Sequence, residues 1–288
     1  MSGNHIQLIT DGTAYLPVSR LREMNIISLP IVAESGGRHF MYDQQTFEHV
    51  GLLSQMREAR EPVRIVGPSV DDFHAVFERT LYRTNKMLVI LSSSHLSPVM
   101  RNARVAARDF MGRCDITILD SQTLSVGLGL LIEQAGALLA QGETSQVEIV
   151  KQIRGMIPRI YVVMISHTLD YIYRSGKLSA MQSILGAMLK IHPFLVIEDG
   201  DIVPHEKSRK PERALDKLVE FASEFTRIQH LLIFQSGAEP TDEALLLKGR
   251  LEQIIHNRDF PIIAYDPILA SHIGPEGLGM VIYEGLWH

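Results

Sequence analysis

The sequence predicts an α/β protein, with a parallel-sheet N-terminal domain followed by a smaller α+β C-terminal domain. Two observations carry that reading. Apolar runs of strand length alternate with helix-period segments through the first half, and Asp199-Gly200 then marks a tight hairpin that opens a different pattern. The length of 288 residues allows two domains of about 150 residues each. With 45% hydrophobic residues, the chain can bury a sizeable core without staples.

In chain order, the first strand is His5-Ile6-Gln7-Leu8-Ile9-Thr10, stopped by Asp11-Gly12-Thr13. Residues 71–84 repeat apolar side chains at helical spacing, with Phe73, Val76, Phe77 and Leu81 on one face. Met87-Leu88-Val89-Ile90-Leu91 is the next strand, and Ser97-Pro98 reads as an N-cap followed by the first position of a helix. Asp115 to Leu119 is a third strand, and 125–139 is apolar enough to be a buried helix. Tyr161-Val162-Val163-Met164-Ile165 completes the set of runs that read as parallel strands buried on both faces. Met156-Ile157-Pro158 interrupts the helix pattern and places the domain boundary at 158, giving domains 1–158 and 159–288. Beyond it lie a hairpin (194–198 and 201–203), a helix from Pro211 to about Thr226, a strand at 230–234, a helix at 242–256, and strands at 261–265 and 280–283. The last elements suggest a split βαβ arrangement.

Charge excludes some functions. There are 28 basic and 33 acidic residues, a net charge of −5, without the basic tract that nucleic-acid binding demands. The single cysteine, Cys114, rules out an intramolecular disulfide and a cysteine-built metal centre, and fits a reducing cytoplasm. The first residues carry no basic segment followed by an apolar stretch, and no apolar run approaches a bilayer span, so a soluble protein is expected.

Several clusters could carry chemistry. Ser92-Ser93-Ser94-His95 ends a strand, where hydroxyls and free amides can hold a carboxylate or phosphate; the same residues also serve as ordinary turn and cap chemistry. His272-Ile273-Gly274-Pro275-Glu276-Gly277 is either a loop that lets backbone approach an anion beside an imidazole, or a tight turn with a surface histidine. Asp11 and Asp120 both end strands and are candidates for a Mg²⁺ or acid/base pair, or for turn capping. Lys207, Arg209, Lys210 and Arg213 crowd the start of a helix, whose dipole they oppose unless an anionic partner compensates. The sequence contains no phosphate loop, no Gly-x-Ser-x-Gly elbow and no His-Glu-x-x-His helix.

Taken in order, these pieces resemble the DegV family of bacterial lipid-binding proteins. The family's strand-end Thr-Asp-Ser is matched by Thr10-Asp11-Gly12, and its Pro-Ser before a helix by Pro68-Ser69. Its Ser-Ser-x-Leu-Ser-Gly-Thr is matched by Ser93-Ser94-His95-Leu96-Ser97-Pro98-Val99. Asp120-Ser121 precedes a helix with Gly127 and Gly129, and Leu169-Asp170-Tyr171-Ile172 precedes Ser175-Gly176-Lys177-Leu178. Leu189-Lys190-Ile191-His192-Pro193 and His272-Ile273-Gly274-Pro275-Glu276 complete the match.

The resemblance implies a DegV-like pair of α/β domains with a long-chain fatty acid between them, no cofactor and no catalysis by the chain itself. It further implies presentation of the acid to a separate fatty acid kinase for phospholipid synthesis, with peripheral membrane contact during lipid exchange. Ser93, Ser94, His272 and the Gly274 loop would bind the head group, and Lys207, Arg209 and Lys210 would face the partner. The chain departs from the family at several positions: Ile65 stands where a threonine ligand is usual, Lys177 replaces an arginine and cannot pair bidentately, Pro98-Val99 stand for glycine-threonine, and Glu276 replaces a loop glycine. Two rival readings remain, a hydrolase or phosphotransferase using Ser94, His272 and Asp11 or Asp120, and a regulatory module that binds no lipid.

Overall fold

The structure, a computed structural model, describes residues 5–35, 37–42, 56, 64–142, 145–168, 170–174, 192–256 and 259–285. The N-terminal strands are β1 (Gln7–Asp11), β2 (Ile27–Leu29), β3 (Ile31–Ser35), β4 (Arg38–Tyr42), β5 (Arg64–Val66), β6 (Lys86–Leu91) and β7 (Asp115–Asp120). Between and after them run helices α1 (Val18–Glu23), α2 (Val70–Leu81), α3 (Val99–Ala107), α4 (Ser125–Ala140) and α5 (Gln146–Met156).

Four of these strands form a parallel sheet in the order β2-β1-β6-β7. Alternation along the strands divides its two faces. Ile9, Met87, Val89 and Leu91 pack against Phe73 and Phe77 of α2 and Met100 and Ala103 of α3. Their neighbours Leu8, Leu88 and Ile90 face the other way, into the core that contains α4. Helix α2 starts on a full capping box: Ser69 Oγ accepts from the Asp72 amide at 3.1 Å, and Asp72 Oδ2 accepts from the Ser69 amide at 2.8 Å. The start of α3 corrects the sequence expectation by one residue. Pro98 is the N-cap rather than the first helical residue, and Ser97 Oγ accepts from the Val99 amide at 3.4 Å.

The remaining elements are β8 (Ile160–Ile165), α6 (Asp170–Arg174), β9 (His192–Glu198), β10 (Asp201–Ser208), α7 (Pro211–Ser223), β11 (Ile228–Gln235), α8 (Asp242–Ile254), β12 (Ile262–Ala264), α9 (Pro267–Ile273) and β13 (Leu278–Glu284). They build a six-stranded sheet in the order β10-β9-β8-β13-β11-β12. The run at Tyr161–Ile165 is therefore not a strand of the parallel sheet. It is β8, antiparallel to both β9 and β13. The reason is physical: burial on both faces makes a strand apolar throughout, whatever the direction of its partners. Val162 and Met164 enter the same core as α4, while Val163 and Ile165 face α7 and α8. The βαβ unit is not split either, because β11 and β12 pair directly and in parallel across α8. The hairpin is as expected, with Asp199 at φ 49° and Gly200 at φ 87° in its turn.

A third, three-stranded antiparallel sheet, β4-β3-β5, has no counterpart in the sequence reading. Glu34, Arg38, His39 and Arg64 interrupt its apolar pattern, and Glu34 instead pairs with His39 at 3.3 Å and Arg64 at 3.5 Å.

Helix α4 packs on β1, β6 and β8, and so belongs to both larger sheets at once. Gly129 lets it do so: a methyl group there would collide with the Tyr15 carbonyl, whose own amide donates to Ser125 O at 3.1 Å. Replacing Gly129 by alanine should therefore overpack the joint and cost about 1–3 kcal/mol in stability. Urea denaturation of the two proteins checks this; an unchanged midpoint would show that the helix can slide away from the Tyr15 loop.

Candidate functional site

The loop after β6 lies at the C-terminal edge of the parallel sheet, where strand ends and helix starts converge. Its first residue, Ser92, is fully buried, and its amide donates to Asp11 Oδ2 at 2.7 Å. Asp11 Oδ1 accepts from the Thr13 amide at 3.0 Å and the Thr13 hydroxyl at 2.6 Å. That carboxylate is thus committed to tying two loops together. Asp120 is similarly engaged, accepting from the Gln122 amide at 2.9 Å and the Ser94 amide at 3.3 Å. Both carboxylates thus serve the turn capping that was one of the two sequence readings, and among the described residues no group of three His, Cys, Asp or Glu side chains is placed to hold a metal.

Ser93 joins the two halves of the molecule. Its hydroxyl donates to Gly200 O at 2.7 Å and accepts from the His95 amide at 3.2 Å, while its amide donates to Thr123 O at 2.8 Å. A Cβ at Gly200 would stand 2.5 Å from Ser93 Oγ, so the hairpin turn must be glycine both for its φ and for this contact. His95 Nδ1 lies 2.6 Å from Asp201 Oδ2, a second link to the same hairpin. Ser94, by contrast, is exposed.

On the other side of this loop, Gly67 is packed against Val99 and Ser97. Two residues upstream is Ile65, half-buried against the core shared with α4. Its strand β5 touches α9, whose last turn carries His272, 4% exposed. Ile65, the serine loop and α9 therefore line one continuous edge. Gly274 caps α9 at φ 85°, and a Cβ there would meet the Tyr171 ring at 2.5 Å. Its carbonyl accepts from the Tyr265 hydroxyl at 2.7 Å, which in turn accepts from the Gly277 amide at 3.0 Å. These contacts give Gly274 a packing role in this loop. Lys177 lies outside the described residues.

Three buried hydroxyls at this edge, Thr10 Oγ1, Ser92 Oγ and Thr123 Oγ1, make no hydrogen bond among the described residues. Sequence reading named Ser92 and Thr10 only as members of their motifs and passed over Thr123. It also missed Asp266, the N-cap of α9, which is completely buried. Asp266 Oδ1 accepts from the Ile268 amide at 2.8 Å and the Leu269 amide at 3.1 Å. Burial pushes its pKa up to about 6, opposed by the nearby Ser125 hydroxyl and those amides. The Asp266-Pro267 pair reads as a helix start, and nothing local signals its burial.

The basic cluster sits at the turn from β10 into α7, where Ser208 Oγ donates to Lys210 O at 2.8 Å. Arg209, Lys210 and Arg213 are exposed there, and Lys210 is the N-cap of α7. Residue 207 belongs to β10, and its side chain lies outside the described set. No helix among the described residues is long and apolar enough to cross a membrane.

A parallel sheet and a mainly antiparallel sheet, joined through one apolar core and accompanied by the small sheet β4-β3-β5, define a mixed α/β protein. The chain belongs to the DegV family: the family model described as "Uncharacterised protein, DegV family" matches residues 5–285. A DegV domain-containing protein of Caldanaerobacter subterraneus is 29% identical over 283 residues, covering 97% of this chain and 99% of that protein. A fatty acid binding DegV family protein from Streptococcus agalactiae shares the fold with a TM-score of 0.87 at 22% identity, over 98% of this chain and 99% of that one. A DegV family protein from Thermus thermophilus, described by its fatty acid binding, has a TM-score of 0.85 at 24% identity, over 98% of this chain and all of that one.

The folded-state pKa of Asp266 lies above its ordinary value of 3.8, so its contribution to stability is fully present below pH 4 and is lost as pH rises through about 6. Asp266→Asn keeps the cap but cannot titrate. Relative to that variant, the wild type should lose about 2 kcal/mol between pH 4 and pH 7. Denaturation curves across that range check the sign; a constant difference between the two proteins would show that Asp266 is not buried as described.

Proposed function

We propose that this chain is a non-catalytic carrier that holds one long-chain fatty acid between domains 1–158 and 159–288. The observation that carries the proposal is the single apolar core running from Leu8, Leu88 and Leu128 to Leu195, Ile268 and Val281, edged by buried Ser92, Ser93 and His272. An acyl chain needs dry walls and gains about 0.8 kcal/mol per buried CH₂, roughly 8 for ten. A carboxylate needs several donors, and the edge has hydroxyls, an imidazole and loop amides to offer. Membership of the DegV family and the fatty-acid-binding descriptions of its fold neighbours support the same reading. Ser94 and His272 are the proposed head-group ligands, with Ser93 holding the loop that presents Ser94. Ile65 replaces a hydrogen-bonding residue by an apolar one, and Lys177 is the proposed cation of the site.

The carrier would work in the cytoplasm, collect its ligand at the membrane surface and present it to a fatty acid kinase. The exposed Arg209 and Lys210, with Lys207 beside them in sequence, suit an acidic or phosphate-bearing partner.

Organic extracts of purified, folded protein should yield a fatty acid at close to one equivalent by mass spectrometry. Repeated extracts free of acyl species would contradict the proposal. Ser94→Ala and His272→Ala should each weaken binding by about 1–3 kcal/mol, because a carboxylate is left short of a donor. Equal affinities in all three proteins would move the head group elsewhere. Charge reversal by Arg209→Glu should slow kinase-dependent turnover of the bound acid while its occupancy stays constant; turnover by the isolated chain, abolished in Ser94→Ala, would favour an enzyme.

A further inference from the structure

Residues 79–113 carry seven basic side chains and one acidic one, in a chain whose net charge is −5. Six of the seven are exposed arginines. Arg79 and Arg83 stand at the end of α2, Arg101, Arg104 and Arg108 along α3, and Arg113 just before β7. None of the six forms a salt bridge among the described residues.

The two helices lie side by side on one face of the parallel sheet. Asn102 Nδ2 of α3 donates to Pro68 O at 2.8 Å, just ahead of α2. The Phe110 ring stands 5.0 Å from His74 and 5.8 Å from Phe77, and the Asp115 amide donates to Asn85 O at 2.7 Å, just beyond α2. Phe73 and Phe77 on one helix, with Met100 and Ala103 on the other, cover the same strands. Arg79, Tyr82 and Arg83 follow the i, i+3, i+4 spacing of a single helix face, and so do Arg101, Arg104 and Val105, with Arg108 one turn on. Both sets lie opposite the buried sides and face away from the sheet together.

The helix dipole explains only part of this charge. Arg79 and Arg104 sit in last turns, where a cation is favoured. Arg101 sits in the first turn of α3, where it opposes the dipole and no acid offsets it. Large apolar side chains stand among the charges, with Tyr82 85% exposed and Met111 76% exposed. Where the face meets the edge of the sheet, Arg104 and Arg154 of α5 line a groove of about 420 Å³ with Ile118, Pro158 and Asp120. That aspartate is already engaged by the Ser94 and Gln122 amides.

We propose that the outward face of α2 and α3 docks on anionic phospholipid headgroups, with Arg104 and Arg154 gripping a headgroup phosphate in the groove. The inference rests on the reading of this chain as a fatty acid carrier and names the surface by which it meets a membrane. Guanidinium pairs bidentately with phosphate, and arginine is the cation present at all six exposed positions. A tyrosine ring and a thioether suit the headgroup level, where an apolar body and a polar tip are both accommodated. Helix α3 opens directly after the serine loop, so the docked face adjoins the candidate head-group edge. The Arg209 cluster, at the start of α7, is a separate surface.

The test is sedimentation of the full-length protein with vesicles of phosphatidylcholine alone or mixed with phosphatidylglycerol. The wild type should sediment only with the mixed vesicles, and added salt should release it. Arg101→Gln, Arg108→Gln and Arg154→Gln should each weaken binding about fivefold, and the three together about a hundredfold. Lys248→Gln, the same charge change on α8, should bind as the wild type does. Tyr82→Ala should weaken binding to vesicles but not to heparin, which offers charge without an apolar layer. Melting curves establish that the variants are folded. Equal sedimentation with both vesicle types, none with either, or binding unchanged in the triple variant overturns the docking face. So does an equal loss in Lys248→Gln, which would leave net charge as the whole effect. Organic extracts report on the carrier separately: acyl species found beside any of these failures leave the carrier reading standing, and extracts without them overturn it whatever the vesicles show.

Discussion

Helix α4 is apolar almost throughout, and only Glu133 and Gln134 bring polar side chains partly to water. Of its sixteen residues, Val126, Leu128, Leu131, Ile132, Ala135 and Leu138 are buried, along with Ser125 and three glycines, and the helix is enclosed by β1 and β6 on one side and β8 on the other. Neither sheet alone could cover such a helix. The parallel sheet supplies Leu8, Leu88 and Ile90, and the larger sheet supplies Val162, Met164 and Leu195. The two sheets must therefore close on each other, and the edge where they meet is where loops, helix starts and strand ends accumulate.

That closure organises the polar chemistry. Asp11 bridges the loops after β1 and β6, and Ser93 and His95 tie the second of those loops to the hairpin at Gly200 and Asp201. With these side chains committed to structure, Ser94 is left exposed and His272 is left at the buried end of α9. The strand-end carboxylates, which the sequence left open between a metal or acid/base pair and turn capping, are thus the mortar of the edge.

Much of this was legible in the sequence, and the failures have a common cause. The strands β1, β6 and β8 announce themselves through two-face burial and the edge strand β7 through its apolar run, but pairing direction leaves no trace in composition, which is why β8 read as parallel. The sheet β4-β3-β5 is hidden by charges that pair across its own strands. The ordered motifs pointed to the serine loop and to His272. Asp266 and Ser125 escaped notice because their meaning is tertiary: an aspartate before proline looks like any helix cap, and a serine gives no warning that its φ is positive. Their significance arises only when the two sheets close and remove the water that would have satisfied them.

The central claim is that a fatty acid occupies the core shared by both sheets. It is tested most directly by isotope-filtered NMR of the protein loaded with uniformly ¹³C-labelled stearate. The account predicts through-space contacts from the acyl methylenes to methyl groups of both lobes, Leu128 on one side and Leu195 and Ile268 on the other. Contacts confined to one lobe, or to residues on the outer surface, would contradict it.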